Sequence, residues 1–351
     1  MQSTTRRRFL RSAGSAAAVA MLGPCFVHAS DKAGTRPARV GEGDYQYACD
    51  HHFGQLPDHV QWGDTHGVCI DDEGLIYIKH RSRAKEPMDA IVVFDPAGKF
   101  VRSFGKEYHG GGHGIDIRRE GSEQFLYLSD VKHGIVARST LKGEQLWSAG
   151  KPVESGKYDD PKARYSPTNI AFSPDGGIYV GDGYGSNYIH HYSAEGKWLS
   201  TFGGPGSGEG ELKTPHGLWL DDRPGRKASL IVADRANARM QYFSLDGNHQ
   251  SFLGDVSFPA DIDIQGEILL VPDLHARVSL FDGENQLLTH LGYDADWTKR
   301  VLDGFKLRTQ PENWVDGRFI HPHDACFDSE GNIFVTEWVS TGRVTKLSRI
   351  S

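Results

Sequence analysis

Residues 167–203 read PTNIAFSPDGGIYVGDGYGSNYIHHYSAEGKWLSTFG. An apolar run, an Asp/Gly turn, a β-rich run ending in Asp182, a short loop, a third run, another Gly turn and a fourth run ending at Gly203 follow one another. Branched and aromatic residues between punctuating glycines at that spacing predict four short strands. Residues 215–243, PHGLWLDDRPGRKASLIVADRANARMQYF, begin the same unit again. It can also be laid on THGVCIDDEGLIYIKHRSR from 65, GHGIDIRREGSEQFLYLSDVKHG from 112, PADIDIQGEILLVPDLHAR from 259 and PHDACFDSEGNIFVTEWVSTGR from 322. Six copies of a four-stranded unit, repeating every roughly 40 to 60 residues, predict an all-β fold: a six-bladed propeller. The last copy stops after three strands. YQYACDHHFG, residues 45–54, ends in Phe-Gly like the other blades and is expected to supply the fourth, closing the ring with an N-terminal strand and leaving no free edge. A sandwich would not explain the register of the repeat.

Outside the repeat the chain divides simply. Residues 1–29 combine Arg6, Arg7 and Arg8, followed by Phe9 and Leu10, with an Ala- and Gly-rich apolar stretch and small residues at a cleavage point after Ala29. That is the pattern of a twin-arginine export signal, which implies the twin-arginine machinery as a partner and a periplasmic or secreted destination. The apolar stretch is shorter than the roughly 18 residues of a spanning helix. Pro24 argues against a lipid anchor at Cys25. Residues 30–44 read as a linker and 45–351 as the propeller. The 351 residues carry a formal charge of −7, and loss of the signal removes arginines but no acid. A nucleic-acid partner would require the opposite sign. No later run could span a bilayer, so no membrane association is expected once the signal is gone. Cys49, Cys69 and Cys326 are too few and too scattered for a disulfide framework, although one bridge is possible in an oxidising compartment.

FGGPGSGEGELKTPHG, residues 202–217, offers glycines spaced like a phosphate loop, but it leads into a strand. An inter-blade turn is the expected reading.

In a propeller the first strand of each blade lines the central channel, so one position of the repeat becomes one ring around the axis. That position is His66, His113, Thr168, His216, Ala260 and His323. Blades two, four and six carry histidine, and alternate blades of a six-fold ring are related by a pseudo-three-fold axis. The three imidazoles should therefore converge. Three neutral nitrogens with one direction open suit a catalytic zinc ion. A single such histidine would be a turn residue bonded to nearby backbone; three in alternate blades are a pattern. His66 breaks the three-fold scheme and can be an extra ligand, a partner behind the ligands or a structural residue, the last two fitting the scheme better. His321 should point away from its neighbour in a strand alternating by two. His190 and His191 fall on an outer strand and are expected at the solvated surface. A second repeat position, the loop after strand two, places Arg81, Tyr184 and Arg235 on one face above the tunnel. Two guanidiniums can clamp a carboxylate, and a phenol among cations suits proton abstraction.

These residues make the chain resemble the peptidyl-α-hydroxyglycine α-amidating lyases within the NHL-type six-bladed propellers. The resemblance covers roughly residues 60 to 350 and rests on GVCIDDEGLIYIKHR, GHGIDI, PTNIAFSPDGGIYVGDGY, TPHGLWL, VADRANARMQYF and HPHDACFDSEGNIFVT, in that order. It implies a catalytic Zn²⁺ on His113, His216 and His323. It also implies a structural Ca²⁺ held by Asp324 and by the backbone carbonyls of Val68 and Ile115. Tyr184 becomes the catalytic tyrosine, with Arg81 and Arg235 as substrate-binding arginines. The implied reaction cleaves the C–N bond of a carbinolamide at a peptide C-terminus, or in a small molecule, to an amide and glyoxylate. Gly185 stands where the family has a disulfide-forming cysteine, His321 where it has methionine, and His66 where it has a small residue. A lactonase-like metal-dependent hydrolase, or a non-catalytic propeller binding a protein or glycan, are the alternatives.

Overall fold

The computed structural model describes residues 37–350, so the expected export signal and residues 30–36 of the expected linker lie outside the described residues. Five four-stranded antiparallel sheets and one five-stranded sheet make six blades. Blades one to five each take four consecutive strands, beginning with Asp64–Ile70, Gly112–Glu120, Ile170–Phe172, Pro215–Asp221 and Asp263–Gln265. Blade six joins Pro322–Phe327, Ile333–Glu337 and Arg343–Arg349 to Tyr47–Asp50, which pairs antiparallel with the last strand from Tyr47↔Arg349 to Asp50↔Lys346. Ala38–Val40, inside the expected linker, adds a fifth strand to this blade because Val40 is buried and packs with Leu291 and Phe319.

The repeat folds this way for local reasons. Second strands such as Ile76–Arg81, Ile178–Gly181 and Ser229–Asp234 are runs of branched and aromatic residues with both faces covered, and their apolar side chains fill the gaps between neighbouring sheets. Each fully buried Val, Leu, Ile or Phe there contributes about 1.5–3 kcal/mol. The hairpin turns demand left-handed backbone: Gly176 has φ 90° and Gly331 φ 80°.

The acid that ends strand two is structural as well. Asp182 accepts from the Ser166 and Ser186 amides, Asp234 from that of Lys213, Asp273 from those of Ser257, Phe258 and His275, and Glu337 from those of Ile320 and His321. In each of blades three to six a buried carboxylate thus ties the incoming loop to the sheet it enters.

Between blades five and six the chain forms a helix, Ala295–Leu302, which the repeat does not predict. Asp294 caps it by accepting from the Trp297 amide at 2.8 Å.

Candidate functional site

All six residues of the histidine position are buried. The ring centroids of His113, His216 and His323 lie 4.7, 4.8 and 4.8 Å apart, with interplanar angles of 67°, 75° and 73°. This is the three-fold triangle expected from alternate blades. The backbone of the intervening blades sets it. Nδ1 of His113 bonds to the Thr168 carbonyl at 2.5 Å, that of His216 to the Ala260 carbonyl at 2.5 Å, and that of His323 to the His66 carbonyl at 2.8 Å. Each even-blade imidazole therefore donates to the same repeat position of the next odd blade, which leaves its Nε2 as a lone-pair donor.

Burial, reinforced by the charges of Arg81 and Arg235 and by the neighbouring imidazoles, holds all three well below the ordinary histidine range. They stay neutral, as metal ligands must. Nε2 of His323 is buried without a hydrogen-bond partner, an unsatisfied acceptor that a cation would satisfy. The donor set thus fits a metal ion. The trio whose ligand atoms all lie within 4.8 Å of one another is His66, His113 and His323. His113 and His323 belong to both trios, and in the tighter one His66 stands where His216 was expected.

Tyr184 sits above the triangle, its hydroxyl 3.0 Å from Nε2 of His216 and 3.3 Å from Nε2 of His113. Its loop is held by Asp182, whose carboxylate also accepts from Tyr158, itself 2.7 Å from Nε2 of His190. Arg235 lies 5.2 Å over the Tyr184 ring and 5.0 Å over that of Phe258, with its Nε buried and unpartnered. Arg81, half-buried, has Nε and one terminal nitrogen in the same condition. Unpaired guanidinium nitrogens are poised for an anion. Arg308, which the sequence reading passed over, also places charge near His323, but it is occupied by Asp64 at 2.7 Å and the Trp338 carbonyl at 3.0 Å.

Below the imidazoles, Asp324, Val68 and Ile115 line a cavity of about 170 Å³. Asp324 accepts from the Val68 amide at 2.8 Å. The same cavity holds Asp116, Asp261 and Asp263, which the sequence reading missed. The signal was present: the position after the histidine reads Gly67, Gly114, Asn169, Gly217, Asp261 and Asp324. The glycines make room for polar neighbours. A Cβ on Gly114 would fall 2.2 Å from Oδ1 of Asn169, and one on Gly217 2.4 Å from Cα of Asp261. Burial and the Asp324 charge push the Asp261 carboxyl up, burial and the Asp263 charge push that of Asp324 up to about 7, and burial raises Asp263 to about 7. Three buried carboxyls, Asp261, Asp263 and Asp324, and the half-buried Asp116, without a basic partner among the residues lining the cavity, are the donor set a hard cation takes.

The remaining expectations fare variously. His190 is fully buried between Tyr158 and Thr201, not at the surface, because its strand is covered on that face by a tyrosine cluster. His191 is partly exposed and stacks on Tyr179. His321 is buried with Nδ1 on the Leu274 carbonyl at 2.7 Å, beside Phe305 and Trp338. A side chain at Gly185 would meet Oδ1 of Asp182 at 1.9 Å, so the loop has no room for the cysteine of the resemblance. Cys49, Cys69 and Cys326 are free thiols. Among the described residues no helix is long and apolar enough to cross a membrane.

A six-bladed propeller with converging imidazoles at its hub defines the class. Its relatives define it further. They include the peptidyl-alpha-hydroxyglycine alpha-amidating lyases and NHL repeat proteins, at modest identity. The chain is 25% identical over 304 residues to peptidyl-alpha-hydroxyglycine alpha-amidating lyase 1 of Drosophila melanogaster, covering 79% of this chain and 51% of that protein. It is 30% identical over 199 residues to human NHL repeat-containing protein 3, covering 54% of this chain and 55% of the relative. The chain thus spans about half the length of these curated relatives. Among solved structures, a gluconolactonase from Xanthomonas campestris superposes with a TM-score of 0.56 at 13% identity, over 89% of this chain and 94% of that one, which shows the shared fold. No protein-family model matches the chain. Together these relationships show the propeller fold.

Proposed function

We propose that the chain is an exported, metal-dependent lyase that cleaves an α-hydroxyglycine-type carbinolamide, R–CO–NH–CH(OH)–COOH, into an amide and glyoxylate. The observation that supports it most is the Tyr184 hydroxyl seated on Nε2 of His113 and His216, beneath two arginines with unpaired buried nitrogens. His113, His216 and His323 would hold a divalent cation, zinc by analogy, which makes a hydroxyl proton easier to remove.

The chain's own groups do the rest. Arg81 and Arg235 hold the substrate carboxylate, fixing the carbinol carbon over the imidazoles. Tyr184, as phenolate, takes the carbinol proton. As the C–O bond becomes a carbonyl, the C–N bond breaks, its electron pair goes to the amide nitrogen, and the tyrosine returns the proton there. No water is consumed. Asp324, with the Val68 and Ile115 carbonyls, is the proposed calcium site that braces the tunnel.

The test is elemental analysis of the purified chain, followed by incubation with N-acyl-α-hydroxyglycines. Stoichiometric glyoxylate with one equivalent of amide supports the lyase. Ring opening of a lactone with uptake of water and no glyoxylate establishes the hydrolase instead. A metal-free chain inert to both is a binding propeller.

A further inference from the structure

We infer that His66 is a fourth imidazole ligand of the hub, so that this chain builds a four-histidine centre. The inference rests on the metal-centre reading above and deepens it. A histidine that supported a ligand from behind would bond to that ligand's Nδ1. Here every Nδ1 of the triangle is already taken: those of His113 and His216 by the Thr168 and Ala260 carbonyls, that of His323 by the carbonyl of His66 itself. The His66 ring has no supporting role left to fill. A purely structural histidine would spend its ring on the protein, yet His66 bonds through Nδ1 to the Asp64 carbonyl at 2.9 Å, which leaves Nε2 as the lone-pair nitrogen. Its ring stands 4.5 Å from that of His323 and 5.3 Å from that of His113, buried between them. Its ligand atom lies within 4.8 Å of theirs.

The three gaps of the triangle are therefore filled differently. Tyr184 stands between His113 and His216, and His66 between His113 and His323. Arg235 exerts the largest charge effect on both His216 and His323. Four neutral nitrogens favour a cation that imidazole suits, such as zinc, copper, nickel or iron, over calcium or magnesium. They leave the Tyr184 side for substrate.

The experiment uses the full mature chain, stripped with chelator and titrated with Zn²⁺ or Co²⁺, with X-ray absorption fine structure counting the imidazoles. Wild type should show four and His66→Ala three, with affinity weakened more than about 100-fold, beyond the 10–100-fold typical of an outer-shell partner. His66→Gln, closer in shape, should behave alike, and metal-free melting curves confirm that both variants fold. His321→Ala should leave count and affinity unchanged. Three imidazoles in wild type and variants alike, at equal affinity, would overturn the role of His66 while leaving the triangle intact. Absence of tight binding by wild type would overturn the metal centre itself, and this inference with it.

Discussion

His190 offers a test of how the Tyr184 loop is secured. Its ring is fully buried, with Nε2 2.7 Å from the Tyr158 hydroxyl and Nδ1 2.8 Å from that of Thr201. Burial alone lowers its pKa to about 3. The unfolded chain takes up a proton there near the ordinary value of about 6.5 and the folded chain refuses it, so stability falls as pH drops through that value. Between about pH 7.5 and pH 5.5 the loss is about 1.4 kcal/mol, set by the unfolded pKa because the folded one lies far below the window. Asp182, raised to about 6, titrates in the same window with the opposite sign, but it is present in both proteins of the comparison. The tyrosines Tyr158, Tyr165 and Tyr192 are pushed upward and stay neutral. His190→Gln keeps polar atoms for both partners and cannot titrate. It should be the less stable protein at about pH 7.5, with the gap closing by about 1.4 kcal/mol at about pH 5.5. Urea unfolding followed by tryptophan fluorescence, with chelator present so that cation binding adds no pH dependence of its own, measures this. A gap that stays constant across the range would refute the buried neutral imidazole.

Other expectations follow from the same geometry. Tyr184→Phe should lower turnover by about 10²- to 10⁴-fold on an α-hydroxyglycine substrate, with unchanged metal content by elemental analysis; an unaltered rate removes the tyrosine from the chemistry. Arg343→Ala strips Glu337 of a partner at 2.6 Å inside the protein. It should cost about 3–5 kcal/mol in urea unfolding, whereas a loss below 1 kcal/mol would mean the acid is rescued by solvent. Gly217→Ala places a methyl against Asp261 backbone and should lower stability by about 1–3 kcal/mol, read as a shifted melting temperature and absent in Gly254→Ala, which has open space and no left-handed backbone. Arg235→Lys should raise KM more than it lowers kcat, because a point charge replaces a two-pronged donor.

Much of this was legible because a repeat turns position in sequence into position in space. Once His113, His216 and His323 occupied one slot in alternate blades, their convergence followed from symmetry, and the loop residues Arg81, Tyr184 and Arg235 followed from a second slot. What escaped reading did so for specific reasons. Asp116, Asp261 and Asp263 lie one and three residues beyond the histidine slot, in positions occupied in other blades by glycine, asparagine, Asp324, cysteine, alanine or tryptophan, so no one residue type marks the site in every blade. An outer-strand position predicts a solvated His190, but Tyr158 and Tyr165, from the loop that precedes its blade, cover it. The helix after Asp294 sits in an insertion, where periodicity carries no information.

The pairing of Tyr47–Asp50 with Arg349 and its neighbours joins the first and last stretches of the described chain in one sheet. Nothing formed earlier in synthesis can stand in for it. A nascent chain can complete five blades as it emerges, but the seam that locks the circle waits for Arg343–Arg349 and bears the loop-closure entropy of the long segment between its two strands. Loss of a few residues at the far terminus should therefore loosen the whole circle and, with it, the spacing of the imidazoles at its centre.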